Sequence, residues 1–322
     1  MVDLSIIIVN WNTKQLLLDC IGSILTSTER ATFEVIVVDN GSTDGSIDAV
    51  AARYPDVRII ANIRNVGFGP ANNMGIKHMQ GRYAVLLNSD TVVKGPALDR
   101  LFDFMETHPD VGICGPQLLN ADGSKQTSFG AFPTLASEFA SRSLIRIFAP
   151  TVHARLFSNA AATENAPGLV DFIIGACMVA RKEAINAAGT LDEDYFFFYE
   201  EIDWCWRMRR AGWPVYHVPD AEIYHLSGAS TRAVSFRARV ESWRSRYLYF
   251  RKSLSLGIAG TTALHLVGLI EVLYQFLIYT LLNIATLFSL SRLRRRWGVF
   301  SYLLAWHASG CPISMGLRRT SR

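Results

Sequence analysis

The sequence predicts an α/β fold, an open and largely parallel sheet flanked by helices, followed by an apolar helical tail. Three observations carry this. Runs of β-branched and aliphatic residues recur through the front of the chain without polar alternation, segments of helical period lie between them, and residues 253–290 contain a single formal charge, Glu271. Strands that do not alternate are buried on both faces, as in a parallel sheet covered by helices.

Strands are expected at Ile6 to Val9, Val35 to Val38, Val57 to Ile60 and Ala84 to Leu87. Leu16 to Leu25 and Ile47 to Ala52 carry apolar residues at helical spacing and fill the connections, which makes a βαβα nucleotide-binding half. Pro96 to Thr107 reads as a helix, Val111 to Cys114 as a strand and Asp122-Gly123 as a hairpin turn. The stretch from 128 to 168, with Pro133, Pro150, Pro167 and the Ala160-Ala161-Ala162 run, reads as a mobile loop or lid. Leu169 to Ala180 is expected as a strand, Glu200 to Ala211 as a helix, and Val215 to Val218 and Glu222 to His225 as short strands.

The net charge of +4 is unevenly spread. Residues 1–231 hold 18 Lys+Arg against 26 Asp+Glu, and residues 232–322 hold 14 against 2. This divides a catalytic domain, residues 1–231 with halves meeting near 115, from a tail, residues 232–322. A basic tail around a long apolar run suits an anionic membrane surface rather than nucleic acid. As one helix, residues 253–290 would extend about 57 Å at ~1.5 Å per residue, beyond a roughly 30 Å hydrocarbon core, so a break is expected near Gly268 to Glu271. Arg251 and Lys252 before it, and Arg292, Arg294, Arg295 and Arg296 after it, put both ends on the cytoplasmic side. A re-entrant hairpin or interfacial helices follow from that. His265, Glu271, Gln275 and Asn283 keep open a soluble helical subdomain or a homo-oligomer interface. Cys20, Cys114, Cys177, Cys205 and Cys311 lack paired spacing and read as buried thiols. The apolar run after Met1 is too short and lacks the basic start of a signal peptide, so the catalytic part is expected in the cytoplasm.

The chemistry concentrates at strand ends. Val37-Val38-Asp39-Asn40-Gly41-Ser42 breaks from an apolar run into an acidic turn, and Leu86-Leu87-Asn88-Ser89-Asp90 repeats the pattern. In an open α/β sheet ligands sit beyond the carboxyl ends of the strands, so Asp39 and Asp90 are expected to face one crevice suited to a nucleotide and a divalent ion on its phosphates. Val9, Asn10, Trp11 and Asn12 end the first strand and either hold a base or ribose or cap a helix. The loop Asn65-Val66-Gly67-Phe68, leading to Asn72 and Asn73, suits close approach to a diphosphate. Farther on, Tyr195 to Arg207 embeds Glu200, Glu201 and Asp203 among aromatics, where desolvation makes a carboxylate a competent proton acceptor. The first two also suit the first turn of a helix. His225 reads alone as a packed histidine.

Together, and in this order over residues 4 to about 231, these segments resemble a family 2 glycosyltransferase of the GT-A fold, particularly its rhamnosyltransferase-like bacterial members. The resemblance implies a mixed Rossmann-like sheet and an inverting transfer from a nucleoside diphosphate sugar, dTDP- or UDP-linked, to a glycan or polyprenyl-linked acceptor. By it, Val9, Asn10, Asn12, Asp39, Asn40 and Gly41 contact the nucleoside, and Asn65, Gly67, Phe68, Asn72 and Asn73 lie near the diphosphate or sugar. Asp90 matches the last acid of the metal-binding Asp-Xaa-Asp motif, with Asn88 in place of the first and Ser89 between. Gly175 and Ala176 match the acceptor side, where Trp204 is also placed. Glu200-Glu201 matches the family's acid pair, making Glu201 the expected base with Asp203 in reserve, and His225 matches a histidine that completes the Mg2+ or Mn2+ site. The turn at 227–230 is expected to close over the diphosphate. L-Rhamnose from dTDP-rhamnose is the leading donor and the cytoplasmic face of the bacterial inner membrane the expected location. A UDP-linked hexosyl or galactofuranosyl donor, a silent nucleotide-sugar-binding scaffold and a nucleotidyltransferase are the alternatives.

Overall fold

The computed structural model describes residues 2–139, 166–226, 235–311 and 315–317. Contacts divide the chain into two compact units, Met1–Glu193 with Glu200–Ser230, and Asp194–Tyr199 with Thr231–Arg322.

The first unit opens with β1 (Leu4–Asn10), α1 (Lys14–Ser27), β2 (Phe33–Asp39), α2 (Ser46–Arg53), β3 (Arg58–Ala61), α3 (Phe68–His78) and β4 (Tyr83–Asn88). β1, β2, β3 and β4 are parallel and pair in the order β3-β2-β1-β4. Ile6 and Ile8 of β1, Val35 and Val37 of β2, and Val85 and Leu87 of β4 turn one way into a core with Leu17, Ile21 and Ile24 of α1. That two-sided burial is why these strands lack alternation.

Beyond β4 come β5 (Thr91–Lys94), α4 (Ala97–Thr107), β6 (Ile113–Leu119), β7 (Phe129–Gly130) and α5 (Leu135–Phe139). They are followed by β8 (Gly168–Val170), β9 (Phe172–Ile173), β10 (Cys177–Arg181), α6 (Lys182–Ala188), α7 (Glu200–Arg210) and β11 (Val215–His225). The sheet continues from β4 as β10-β6-β11-β5, with β8 also paired to β11. β10 runs antiparallel to both β4 and β6, and β11 runs parallel to β6. The sheet is therefore mixed, and β10 begins at the edge where β4 ends.

Several expectations are corrected. Leu169 to Ala180 is three short strands, because Asp171 separates β8 from β9, which pairs with β7 in a second sheet, and Gly175-Ala176 precede β10. Val215 to His225 is one strand whose register shifts between Val218 and Glu222, where Pro219 supplies no ladder donor. The Asp122-Gly123 turn forms, with the Gly123 amide donating to the Asn120 carbonyl at 2.9 Å. Of the expected lid, residues 140–165 lie outside the described residues, and the described flank holds β7 and α5.

The second unit contains α8 (Ser235–Lys252), α9 (Ile258–Ala285) and α10 (Ser291–Ala308). The expected break near Gly268 is absent: α9 is one helix of 28 residues. Gly268 serves close packing instead, since a Cβ there would run into the Tyr247 hydroxyl and the Trp243 ring of α8.

Candidate active site

Strand direction gathers the candidate residues. β1, β2 and β4 end side by side, with Asn10 opposite Asp39 and Val9 opposite Asn88. β11 ends at the same edge with His225 opposite Thr91, so Asp90 comes beside it, and the Leu226 amide donates to the Asp90 carbonyl at 2.9 Å.

At the first corner Asp39 is fully buried and both its oxygens are occupied. Asn10 Nδ2 donates to Oδ1 at 2.8 Å and the Ser42 amide to Oδ2 at 2.8 Å. Asn10 Nδ2 also reaches Ser42 Oγ at 3.0 Å, and the Thr13 hydroxyl donates to Asn10 Oδ1 at 2.7 Å and lies 2.8 Å from Ser89 Oγ. This network ties the ends of β1, β2 and β4 together. Asn12 is exposed at φ 54° and accepts from the Thr43 amide at 2.8 Å, while Val9 is half-buried. Asp44 receives the Lys14 amide at 2.9 Å. Burial opposes ionisation there, but the hydrogen bonds from Ser46 and Lys14 hold its carboxyl below the usual range.

Asn40 joins this corner to the next loop. Its Nδ2 donates to the Gly67 carbonyl at 3.0 Å, and its Oδ1 accepts from Asn62 Nδ2 at 3.1 Å. Gly41 has φ 73°, and a Cβ there would stand 2.9 Å from the Arg64 Cα, so only glycine fits. Asn65 Oδ1 accepts from the Gly67 amide at 2.9 Å at the start of α3, where Phe68 is half-buried. Two asparagines fall elsewhere than expected. Asn72 is buried with Nδ2 on the Phe68 carbonyl, and Asn73 pairs with the backbone of Leu191 at 2.8 and 3.0 Å. The Asn72 bond is internal to α3, and the Asn73 bonds tie α3 to the chain at Leu191.

The second corner is looser. Asp90 is buried to 8% exposure, and its Oδ1 lies 3.5 Å from His225 Nε2. His225 Nδ1 sits 2.7 Å from Gln126 Oε1, so Nδ1 carries the proton and Nε2 is aimed at Asp90. Gln126 Nε2 is held in turn by Asn120 Oδ1 at 2.9 Å. Asn88 is half-buried, and its carbonyl takes the Thr91 hydroxyl at 2.7 Å. Burial pushes the neighbouring Cys20 thiol up to about 12, so it stays protonated. Among the described residues no three His, Cys, Asp or Glu side chains cluster for a metal. The Asp90 carboxylate and the His225 imidazole are the two described side chains at this corner that could hold a divalent ion. Residues 227–230 lie outside the described residues.

The third corner comes from the antiparallel strand. The Asn88 amide donates to the Ala176 carbonyl at 2.9 Å, and a Cβ on Gly175 would lie 3.5 to 3.9 Å from the Glu201 side chain. Glu200 and Glu201 open α7 directly after Phe198 and Tyr199, at φ 68° and 69°. Two successive left-handed non-glycine residues are costly and set the direction in which the helix starts. Glu200 is 3% exposed and Glu201 half-buried. Asp203 is buried and ion-paired with Arg207 Nε at 2.8 Å, which makes it a poor reserve base. Trp204, expected on the acceptor side, is wholly buried with its indole donating to the Gly189 carbonyl at 2.8 Å, so it packs rather than lines a cleft.

Sequence reasoning missed Thr13, Ser42 and Gln126. Ser42 lay within a quoted motif, but Gln126 is 99 positions from His225 and carries no local signal.

The profile of Glycosyl transferase family 2 matches residues 5–188. The N-acetylglucosaminyl-diphospho-decaprenol L-rhamnosyltransferase of Mycobacterium tuberculosis is 31% identical over 223 residues, covering 66% of this chain and 72% of that protein. The dTDP-rhamnosyl transferase RfbF of Shigella flexneri is 24% identical over 284 residues, covering 87% and 88%. The mannosyltransferase PcManGT from Pyrobaculum calidifontis, solved with GDP-Man and Mn2+, superposes at a TM-score of 0.56 and 17% identity, over 96% of this chain and 86% of that one. That likeness shows the GT-A-like fold. The family model runs through the strand ends that carry Asn10, Asp39 and Asp90, and the chain belongs to glycosyl transferase family 2.

Proposed function

We propose that this glycosyltransferase transfers L-rhamnose from dTDP-rhamnose, with inversion, to a polyprenyl-diphosphate-linked glycan at the cytoplasmic face of the membrane. Residues 1–231 are the catalytic domain and 232–322 the membrane-associating tail. The names of two relatives support donor and acceptor, one a decaprenol-diphosphate rhamnosyltransferase and the other a dTDP-rhamnosyl transferase.

The observation that carries the mechanism is the Asn88–Ala176 hydrogen bond with Gly175 against Glu201. This supports Glu201 as the base, because Gly175-Ala176 lie between its side chain and the end of β4. Glu201 takes the proton of the acceptor hydroxyl as its oxygen bonds to the anomeric carbon. The bond from that carbon to the diphosphate oxygen breaks on the opposite side, and its electron pair leaves with the nucleoside diphosphate. Asp90 and His225 would hold a divalent ion, which supplies positive charge for the departing diphosphate. Gln126 keeps His225 in the tautomer that this requires.

Replacing the base by an isosteric amide tests this. Glu201→Gln should lower transfer by roughly 10²- to 10⁴-fold while calorimetric nucleotide affinity stays within about twofold; equal loss of binding removes Glu201 from the role. Thermal shifts with dTDP, UDP, GDP and CDP, each with and without Mn2+, test the donor. A manganese-dependent rise with dTDP supports rhamnosyl transfer, and one confined to UDP replaces it with a hexosyl or galactofuranosyl donor.

A further inference from the structure

We propose that α9 lies in the plane of an anionic membrane surface, its outward apolar stripe in the interface, and crosses the bilayer at neither end. This rests on the membrane-face location proposed above and specifies how the tail achieves it.

The helix has two unlike faces. Leu264, Gly268, Val272 and Asn283 are buried within the helical unit. On the other side Leu266, Ile270, Leu273, Leu277, Leu281 and Ile284 follow at spacings of three and four, and each is between 43% and 67% exposed. Such a continuous stripe of large apolar side chains requires a partner.

Three observations select the partner and the orientation. First, α9 is unbroken through Gly268 and Glu271, so the chain does not turn back within it as a re-entrant hairpin would. Second, Glu271 falls at the middle of the helix and lies 3.8 Å from Arg246 of α8. In a crossing helix this pair would sit at the centre of the hydrocarbon, the most costly depth for charge. In a helix lying flat, the pair stays at the level of the headgroups. Third, basic residues stand on both sides, Arg251 and Lys252 before the helix and Arg292, Arg294, Arg295 and Arg296 after it, which retains both ends on one side of a bilayer.

The inner face is also too well furnished to be lipid-facing. Trp297 of α10 donates its indole N–H to Thr280 Oγ1 at 3.0 Å, the Tyr279 and Phe300 rings stack at 5.5 Å, and the Tyr247 ring of α8 lies 3.8 Å from the His265 ring. α10 thus runs back along α9, and a span would drag its arginines and His307 inward. A second copy of the chain could also cover an apolar stripe. The 14 basic and 2 acidic residues of the tail argue for a negatively charged surface instead, because two such tails repel one another.

Flotation of the full-length protein with vesicles tests this. Binding should be strong with phosphatidylglycerol present and weak on phosphatidylcholine alone. Ile270→Ser with Leu277→Ser should abolish it, and Arg294→Gln with Arg295→Gln should weaken it by roughly tenfold or more. An environment-sensitive label at Leu273→Cys should report a depth of about 5 to 10 Å below the headgroups. A label at the bilayer midplane overturns the proposal in favour of a span. A lipid-free dimer that the serine variant dissociates overturns it in favour of a protein interface. The nucleotide-induced thermal shift, measured on the same variants, reports the first unit separately, so loss of donor binding and loss of membrane binding are told apart.

Discussion

Asp39 and Asp90 are both acids at the ends of buried parallel strands, yet the protein treats them differently. Asp39 is completely enclosed, with each oxygen receiving a 2.8 Å hydrogen bond from its own chain. Asp90 faces a histidine at 3.5 Å, longer than a formed hydrogen bond. The first carboxylate is held by donors of its own fold and fixes the turn after β2. The second is the one that the proposed function assigns to a divalent ion.

The comparison breaks most readily at its two poles. Asp39→Ala removes the acceptor of the buried Asn10 amide and of the half-buried Ser42 backbone N–H and should cost roughly 1 to 3 kcal/mol in urea unfolding. Asp90→Ala should cost less stability than Asp39→Ala but remove the manganese dependence of nucleotide binding. If the two variants lose stability alike, the distinction fails.

His217 of β11 sharpens the contrast as a buried titratable group with no partner. It is 1% exposed, packs on Phe129 at 4.7 Å, and neither ring nitrogen has a hydrogen bond among the described residues. Burial, reinforced by Lys125, holds its imidazole down at about 4. The unfolded chain takes up this proton near 6.5 and the folded chain does not, so stability falls as pH drops from about 6.5 towards 4. The loss is up to about 3 kcal/mol at 1.36 kcal/mol per pH unit. His217→Phe should remove that part of the pH slope, measured as unfolding midpoints at neutral and acid pH.

Gln126 acts on the second corner through His225. Gln126→Leu leaves Asp90 and His225 in place but frees the imidazole to rotate, and Mn2+ affinity in the presence of nucleotide should fall about 10- to 100-fold. Unchanged affinity by manganese EPR titration would mean that Asp90 alone sets the metal.

Much of the first half was legible because burial on both faces writes itself into composition. Ile6 to Val9, Val35 to Val38 and Ala84 to Leu87 all lie within strands that end side by side. Long-range partnerships were not legible. Nothing in the stretch around Gln126 announces His225, and Asn73 shows its commitment only when Leu191 is brought to it. Trp204, expected on the acceptor side from the resemblance, is instead committed to the Gly189 carbonyl, a partner 15 positions away. α9 misled in another way, since Gly268 within an apolar run resembles a hinge and serves instead as a point of close packing.

The strand order also imposes a schedule on synthesis. The ribosome releases β1 to β4 first, and these pair among themselves, but β5 has no strand partner among those described except β11, where Thr91 meets His225. Contacts so distant in sequence close late, because the intervening loop must lose its entropy first. The Asp39 network can therefore form while the chain is still being made, and the Asp90–His225 pair only after the last strand arrives. A chain released before Glu222 should keep the Asp39 network and lack the Asp90–His225 pair altogether.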